Sequence, residues 1–156
     1  MADSNATYTQ IHIQFVFAVK FRDALIKNEW KEELHMYITG IIQNNHHKLL
    51  VINSMPDHIH IFVGMRPNQS VSNLVNDIKA NSSKFINEKK FLPVRFEWQK
   101  GYGAFSYGKS QINHVIKYIN NQEKHHHRKS FKEEYLEFLE KFGVDYNEEY
   151  IFNDLI

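Results

Sequence analysis

An α+β sandwich, an antiparallel sheet with helices on one face, is the fold class this sequence predicts. Three observations carry that prediction. Segments that alternate with a period of two and segments at helical spacing follow one another as strand, helix, strand, strand, helix, strand. The chain has 156 residues with only 6 Gly and 3 Pro, which suits one domain with little linker. Aromatic residues make up 14%, with 12 Phe and 8 Tyr, enough bulk for a real core. That order of elements is the order of a ferredoxin-like sandwich, whose second sheet face stays open.

Residues 8–21, YTQIHIQFVFAVKF, read as a long first strand. Ile11, Ile13, Phe15, Phe17, Val19 and Phe21 fall on one face, and His12, Gln14, Val16, Ala18 and Lys20 on the other. A helix over 27–45 follows, with Trp30, Leu34, Tyr37, Ile38, Ile41 and Ile42 at three-and-four spacing. HKLLVINSM, 47–55, is a second strand, and Pro56 and Asp57 turn it into the third. Ser70 or Ser72 caps a helix over 71–88, and residues 94–107 hold a fourth strand. Beyond the sandwich, Ser110 caps a helix over 111–125 and FKEEYLEFLEKF forms a last helix over 131–142. The end, VDYNEEYIF, reads as an arm. The expected organisation is a tail at 1–7, a single domain at 8–151 and a tail at 152–156.

Composition removes several functions. Net charge is +1 with histidines neutral, not the basic excess of a general nucleic-acid coat protein. A nucleic-acid partner would need local patches and a metal. The absence of cysteine rules out disulfides, thiolate–zinc sites and a cysteine nucleophile. The opening MADSNAT lacks the basic start and apolar run of a signal peptide, and no apolar run is long enough to span a bilayer. A soluble cytoplasmic protein without a membrane partner is the expectation.

Within MPDHIHIFVGM, residues 55–65, the third strand carries His58 and His60 amid apolar neighbours. Side chains at i and i+2 share a face, so two imidazoles stand side by side where one divalent ion could be shared. Two hydrogen-bonded histidines on a sheet face would give the same pattern. On the 111–125 helix, Tyr118 and Gln122 are four apart and share a face. A Gln carbonyl can ligate Mg²⁺ or Mn²⁺, and a Tyr hydroxyl beside such an ion could attack phosphorus. Read from spacing alone, such a pair usually serves the surface or packing.

His58-Ile59-His60 together with Tyr118 and Gln122 resembles the single-tyrosine HUH transposases of the insertion-sequence-200/605 type. The segments MPDHIHIFV, WQKGYGAFSYGKS, VIKYINNQEKHH and FKEEYLEFL, and the opening strand running into KFRDALI, look like family segments in family order. The resemblance spans roughly 8–151. It implies a dimer that cuts single-stranded DNA beside a folded hairpin at an element's end. Tyr118 would be the nucleophile, leaving a 5′-phosphotyrosine link and a free 3′-OH. His58, His60 and Gln122 would hold a divalent ion, Mg²⁺ or Mn²⁺. No nucleotide or other organic cofactor is implied, and the tyrosine helix often docks on the partner subunit.

Lys100, Lys109, His126, Arg128 and Lys129 are the candidate DNA contacts. Lys100, Tyr102, Lys109, Phe105 and Tyr107 mix charge with rings that single strands stack on, although buried strand aromatics look the same in sequence. His125, His126 and His127 read as a metal tract or a cationic helix end. Asp57 suits either a turn or a bond to a ligand's second nitrogen. His12 could stand beside the metal, and His46 and His47 read as loop. Three rivals share these features: a domesticated relative that cuts repeated palindromes, a ferredoxin-like nucleic-acid-binding module without catalysis, and an unrelated histidine–metal hydrolase.

Overall fold

The computed structural model describes residues 6–126 and 128–147. Its sheet holds β1 (His12–Ala18), β2 (Lys48–Met55), β3 (His58–Gly64) and β4 (Gly103–Tyr107) in the order β2-β3-β1-β4, every pair antiparallel. With α1 (Lys31–Asn44) and α2 (Val71–Lys89) as the crossovers, this is the ferredoxin-like α+β topology that the alternation predicted.

One face of the sheet is apolar because β1 and β3 alternate. Phe15, Phe17, Ile59, Ile61 and Val63 point to it and meet Leu34, Ile38 and Ile42 of α1 and Leu74, Val75, Ile78 and Ile86 of α2. Each such side chain, withdrawn from water, contributes about 1.5–3 kcal/mol. The helices start where their sequences allow. Ser70 accepts the Asn73 N–H at 3.1 Å and so caps α2, as expected.

The other face is covered as well. Here α3 (Ile112–Asn120), α4 (Gln122–His125) and α5 (Phe131–Lys141) close over it. Val115 and Ile119 pack on Phe62, and Phe131, Phe138 and Leu139 pack on Val16, Ala18 and Phe105. Asn53 on β2 donates to the Ile119 carbonyl at 2.8 Å and ties α3 to the sheet. The open face expected for the histidines is thus roofed, and β3 is buried on both sides as far as Val63.

Four further expectations are corrected. The first strand stops at Ala18, because Lys20–Arg22 form a 3-10 turn in which Phe21 has φ 60° and lies 46% exposed rather than in the core. Residues 94–99 form no strand beyond a single bridge from Trp98 to Val19, and the fourth strand is only Gly103–Tyr107. Ser110 lies inside a 3-10 turn (Lys109–Gln111), where Gln111 accepts the Gly108 N–H at 3.2 Å instead. The helix expected over 111–125 breaks at Asn121, where φ −98° and ψ 20° turn the chain between α3 and α4. The N-terminal tail beyond its last two residues, the end of the expected arm, and the 152–156 tail lie outside the described residues. Among the described residues no helix is long and apolar enough to cross a membrane.

Candidate active site

The β1–β3 register sets His58 beside Ala18 and His60 beside Val16, on the face roofed by α3–α5. Both rings are fully buried, which a polar side chain tolerates only with partners. The partners fix the tautomers. His58 Nδ1–H donates to Asp57 Oδ1 at 2.7 Å, and His60 Nδ1–H donates to Gln14 Oε1 at 2.7 Å. Gln14 presents its oxygen because its amide nitrogen donates to the Tyr107 hydroxyl at 3.0 Å. In its neutral form each histidine is then left with a lone pair on Nε2.

Those lone pairs face oxygen. Glu134 Oε1 stands 3.5 Å from His58 Nε2 and 3.2 Å from His60 Nε2, and Gln122 Oε1 stands 3.3 Å from His58 Nε2. Acceptors facing acceptors in a dry site call for a cation between them. The donor atoms of His58, His60 and Glu134 lie within 4.8 Å of one another, so the triad fits a divalent metal. Asp57 and Gln14 on the far nitrogens are the outer partners that such imidazole ligands have.

His126 completes the ring of contacts. Its Nδ1 faces the Lys129 carbonyl at 2.7 Å, and its Nε2 faces Gln122 Oε1 and Glu134 Oε1, each at 3.0 Å. Both nitrogens meet acceptors, so the ring carries two protons. Burial opposes that charge, but the Glu134 carboxylate outweighs it and lifts the His126 pKa. Burial would likewise raise Glu134, yet protonation of the facing imidazoles, His60 first and then His126 and His58, holds its carboxyl far below the usual range. Burial lowers the His60 pKa against the pull of the neighbouring carboxylate. Asp57 stays ionised because its bond to His58 overcomes the cost of burial.

Tyr118 joins the same carboxylate. Its hydroxyl donates to Glu134 Oε2, which also accepts from Gln122 Nε2 at 3.0 Å. Burial and the adjacent negative charge push the phenol pKa well above its ordinary value, so the hydroxyl is protonated at rest. Glu134 thus holds the tyrosine with one oxygen and faces the two histidines with the other. The helix break at Asn121 does not part Tyr118 from Gln122, since both reach that one oxygen.

Of the residues singled out in the sequence, His58, His60, Tyr118, Gln122, Asp57 and His126 come together here. Lys100, Lys109, Arg128 and Lys129 are exposed and touch none of the donor atoms, and Lys129 pairs with Glu137 at 2.6 Å. His12 packs near Phe62, 6.5 Å between ring centroids, and stays out of the cluster. His46 and His47 lie in the turn before β2, as expected, but His47 is buried there, bonded to Gln69 at 2.8 Å and to the Arg66 N–H at 2.9 Å. The His125 side chain and His127 lie outside the described residues.

Sequence reasoning missed Glu134 and the role of Gln14. The signal for Glu134 was present: it sits in the apolar stripe Phe131, Tyr135, Phe138, Leu139 at the spacing that faces the sheet. The capping box fixes that orientation, with Ser130 accepting from Glu133 N–H at 3.2 Å and Glu133 accepting from Ser130 N–H at 2.9 Å.

The family model described as Transposase IS200 like matches residues 7–122. This chain belongs to the IS200-like transposase family. The match takes in β1 through Gln122 and ends before α5, so Glu134 lies beyond it. The ISDra2 transposase of Deinococcus radiodurans is 22% identical over 118 residues, 72% of this chain and 84% of that protein. Two solved structures share the fold. A Deinococcus radiodurans protein assigned as a transposase has a TM-score of 0.62 at 20% identity, covering 78% of this chain and 98% of that one. A REP-associated tyrosine transposase, solved bound to a REP hairpin, has a TM-score of 0.60 at 15% identity, covering 81% and 74%.

Proposed function

We propose that this transposase cuts and rejoins single-stranded DNA at hairpin-marked element ends through a covalent tyrosine intermediate. The observation that carries the reading is the shared carboxylate: Glu134 holds the Tyr118 hydroxyl on one oxygen and faces His58 and His60 with the other. A nucleophile and a set of metal donors meet at one residue.

The Tyr118 oxygen attacks the scissile phosphorus, the bond to the 3′ oxygen breaks, and the downstream strand stays on the protein as a 5′-phosphotyrosine. The phenolic proton is already directed at Glu134 Oε2. His58, His60 and Glu134, with Gln122 beside them, would hold Mg²⁺ or Mn²⁺, which when bound withdraws charge from the phosphate. The phosphotyrosine keeps the energy of the broken ester, so rejoining needs no nucleotide cofactor. Lys100, Lys109, Arg128 and Lys129, being exposed, suit the strand's backbone, while His126 serves inside the site. The reading includes one domain over 8–151, a cytoplasmic setting and a homodimer. Within one chain Tyr118 lies beside the histidines, which supports a site built inside a single subunit.

A 3′-labelled single-stranded hairpin from the gene's flanks, incubated with protein and Mn²⁺, tests this on a denaturing gel. The label should move to protein-plus-DNA mass, and the band should vanish with chelator and in Tyr118→Phe while hairpin binding persists. Cleavage surviving in Tyr118→Phe would remove the tyrosine from the mechanism.

A further inference from the structure

Beside the histidine–glutamate cluster lies a cleft of which the proposed chemistry uses only Lys100 at the rim. It holds about 240 Å³ and is lined by Gln99, Lys100, Tyr102, Phe131, Tyr135 and Tyr146 among others. Phe131 forms the wall between the two places. Its ring stacks on His58 with centroids 4.4 Å apart, and on Tyr135 at 5.4 Å, each at an interplanar angle of 26°.

The cleft is built, not left over. Lys79 on α2 donates to the carbonyls of Gln99 at 2.7 Å and Gly101 at 2.9 Å, pinning the loop that carries Lys100 and Tyr102. Gly101, with φ +83°, lets that loop turn between them. Gly103 allows Tyr135 to lie against the strand, since a Cβ there would come within 2.9 Å of the Tyr135 ring. The chemistry of the lining is mixed: flat rings for stacking, side-chain amides with both donors and acceptors, and an exposed ammonium at the rim.

We propose that this cleft takes one unpaired nucleobase of the DNA strand, next to the scissile phosphate. The proposal rests on the covalent-tyrosine reading for its substrate. The shared Phe131 wall carries it: a strand whose phosphate lies at His58 brings its neighbouring base to the far side of that ring. Stacked rings hold a base of any sequence, and Lys100 meets the phosphate that follows. The site therefore sets where the strand lies relative to the tyrosine, not which element end is chosen.

The test uses a hairpin oligonucleotide carrying 2-aminopurine at successive unpaired positions, bound to Tyr118→Phe protein so that the strand stays intact. Fluorescence should be strongly quenched at one position and little at its neighbours. Tyr102→Ala should abolish that quench and weaken binding roughly tenfold, the size of one lost stack. An abasic site at that position should weaken binding similarly, and Tyr102→Ala should then add nothing. Tyr146→Ala, at a residue 42% exposed, repeats the test where packing is not at stake. Uniform quenching along the strand, or a quench untouched by both substitutions, overturns the proposal. The wild-type covalent band separates the two claims. A band without position-specific quenching removes the cleft alone. Position-specific quenching without a band keeps the cleft and removes the tyrosine chemistry.

Discussion

The two faces of the sheet are built from the same strands and do opposite things. Toward α1 and α2, β1 and β3 present Phe15, Phe17, Ile59, Ile61 and Val63, and the contact is apolar. Toward α3–α5 the intervening residues include Gln14, His58 and His60, which meet Gln122, Glu134 and His126. Burying those polar groups costs free energy that hydrogen bonds only offset. One face is apolar throughout, and the other sets the candidate site between two smaller apolar clusters, with the period of two keeping the faces apart.

Substitutions on the polar face should cost function first. His60→Ala should remove Mn²⁺ binding by calorimetry, the largest effect expected. Gln14→Ala, which frees His60 Nδ1 and the Tyr107 hydroxyl, should weaken binding by about 10–100-fold. Unchanged Mn²⁺ affinity in both would break the division between the faces.

Leu34→Ala on the apolar face should cost about 2–5 kcal/mol in urea unfolding. Its metal affinity, measured on the folded fraction, should stay as in the wild type. A loss well below that range would mean that α1 is not packed as described.

Stability on the apolar side should also respond to pH through His35, which is bonded to Ser54 Oγ at 2.8 Å. Burial, then the Lys31 charge, lowers its pKa from 6.5 to about 4. Its folded value is depressed, so its contribution is complete above pH 6.5 and is lost as pH falls toward 4. His35→Gln should flatten the stability slope over that window, and an unchanged slope would assign it elsewhere. The smallest effect is expected at the α5 cap, where Ser130→Ala should cost about 1 kcal/mol and loosen Glu134 with it.

Much of this was legible in the sequence, for reasons that differ between the faces. The alternation in β1 and β3 and the helical spacing of α1 and α2 are local patterns, and the sandwich followed from their order. His58, His60, Tyr118 and Gln122 were singled out because the HUH pattern and the tyrosine helix are short and resemble a known family, and the fold brings them together. Glu134 reaches His60 across 74 positions and Gln14 across 46, and no local period records such a meeting. The roof of α3–α5 was missed for a related reason. The apolar stripe of α5 says that it packs against something, not that the something is the histidine face.

The central claim is that Tyr118 is the group placed against the donor set to attack phosphorus. Peptide mapping by mass spectrometry tests it most directly. The protein would be incubated with the single-stranded hairpin and Mn²⁺, digested with nuclease and trypsin, and searched for a nucleotide phosphate bound to protein. The account predicts that mass on the peptide containing Tyr118 and on no other. DNA cut with the mass on a different residue, or with no bound nucleotide, would contradict it.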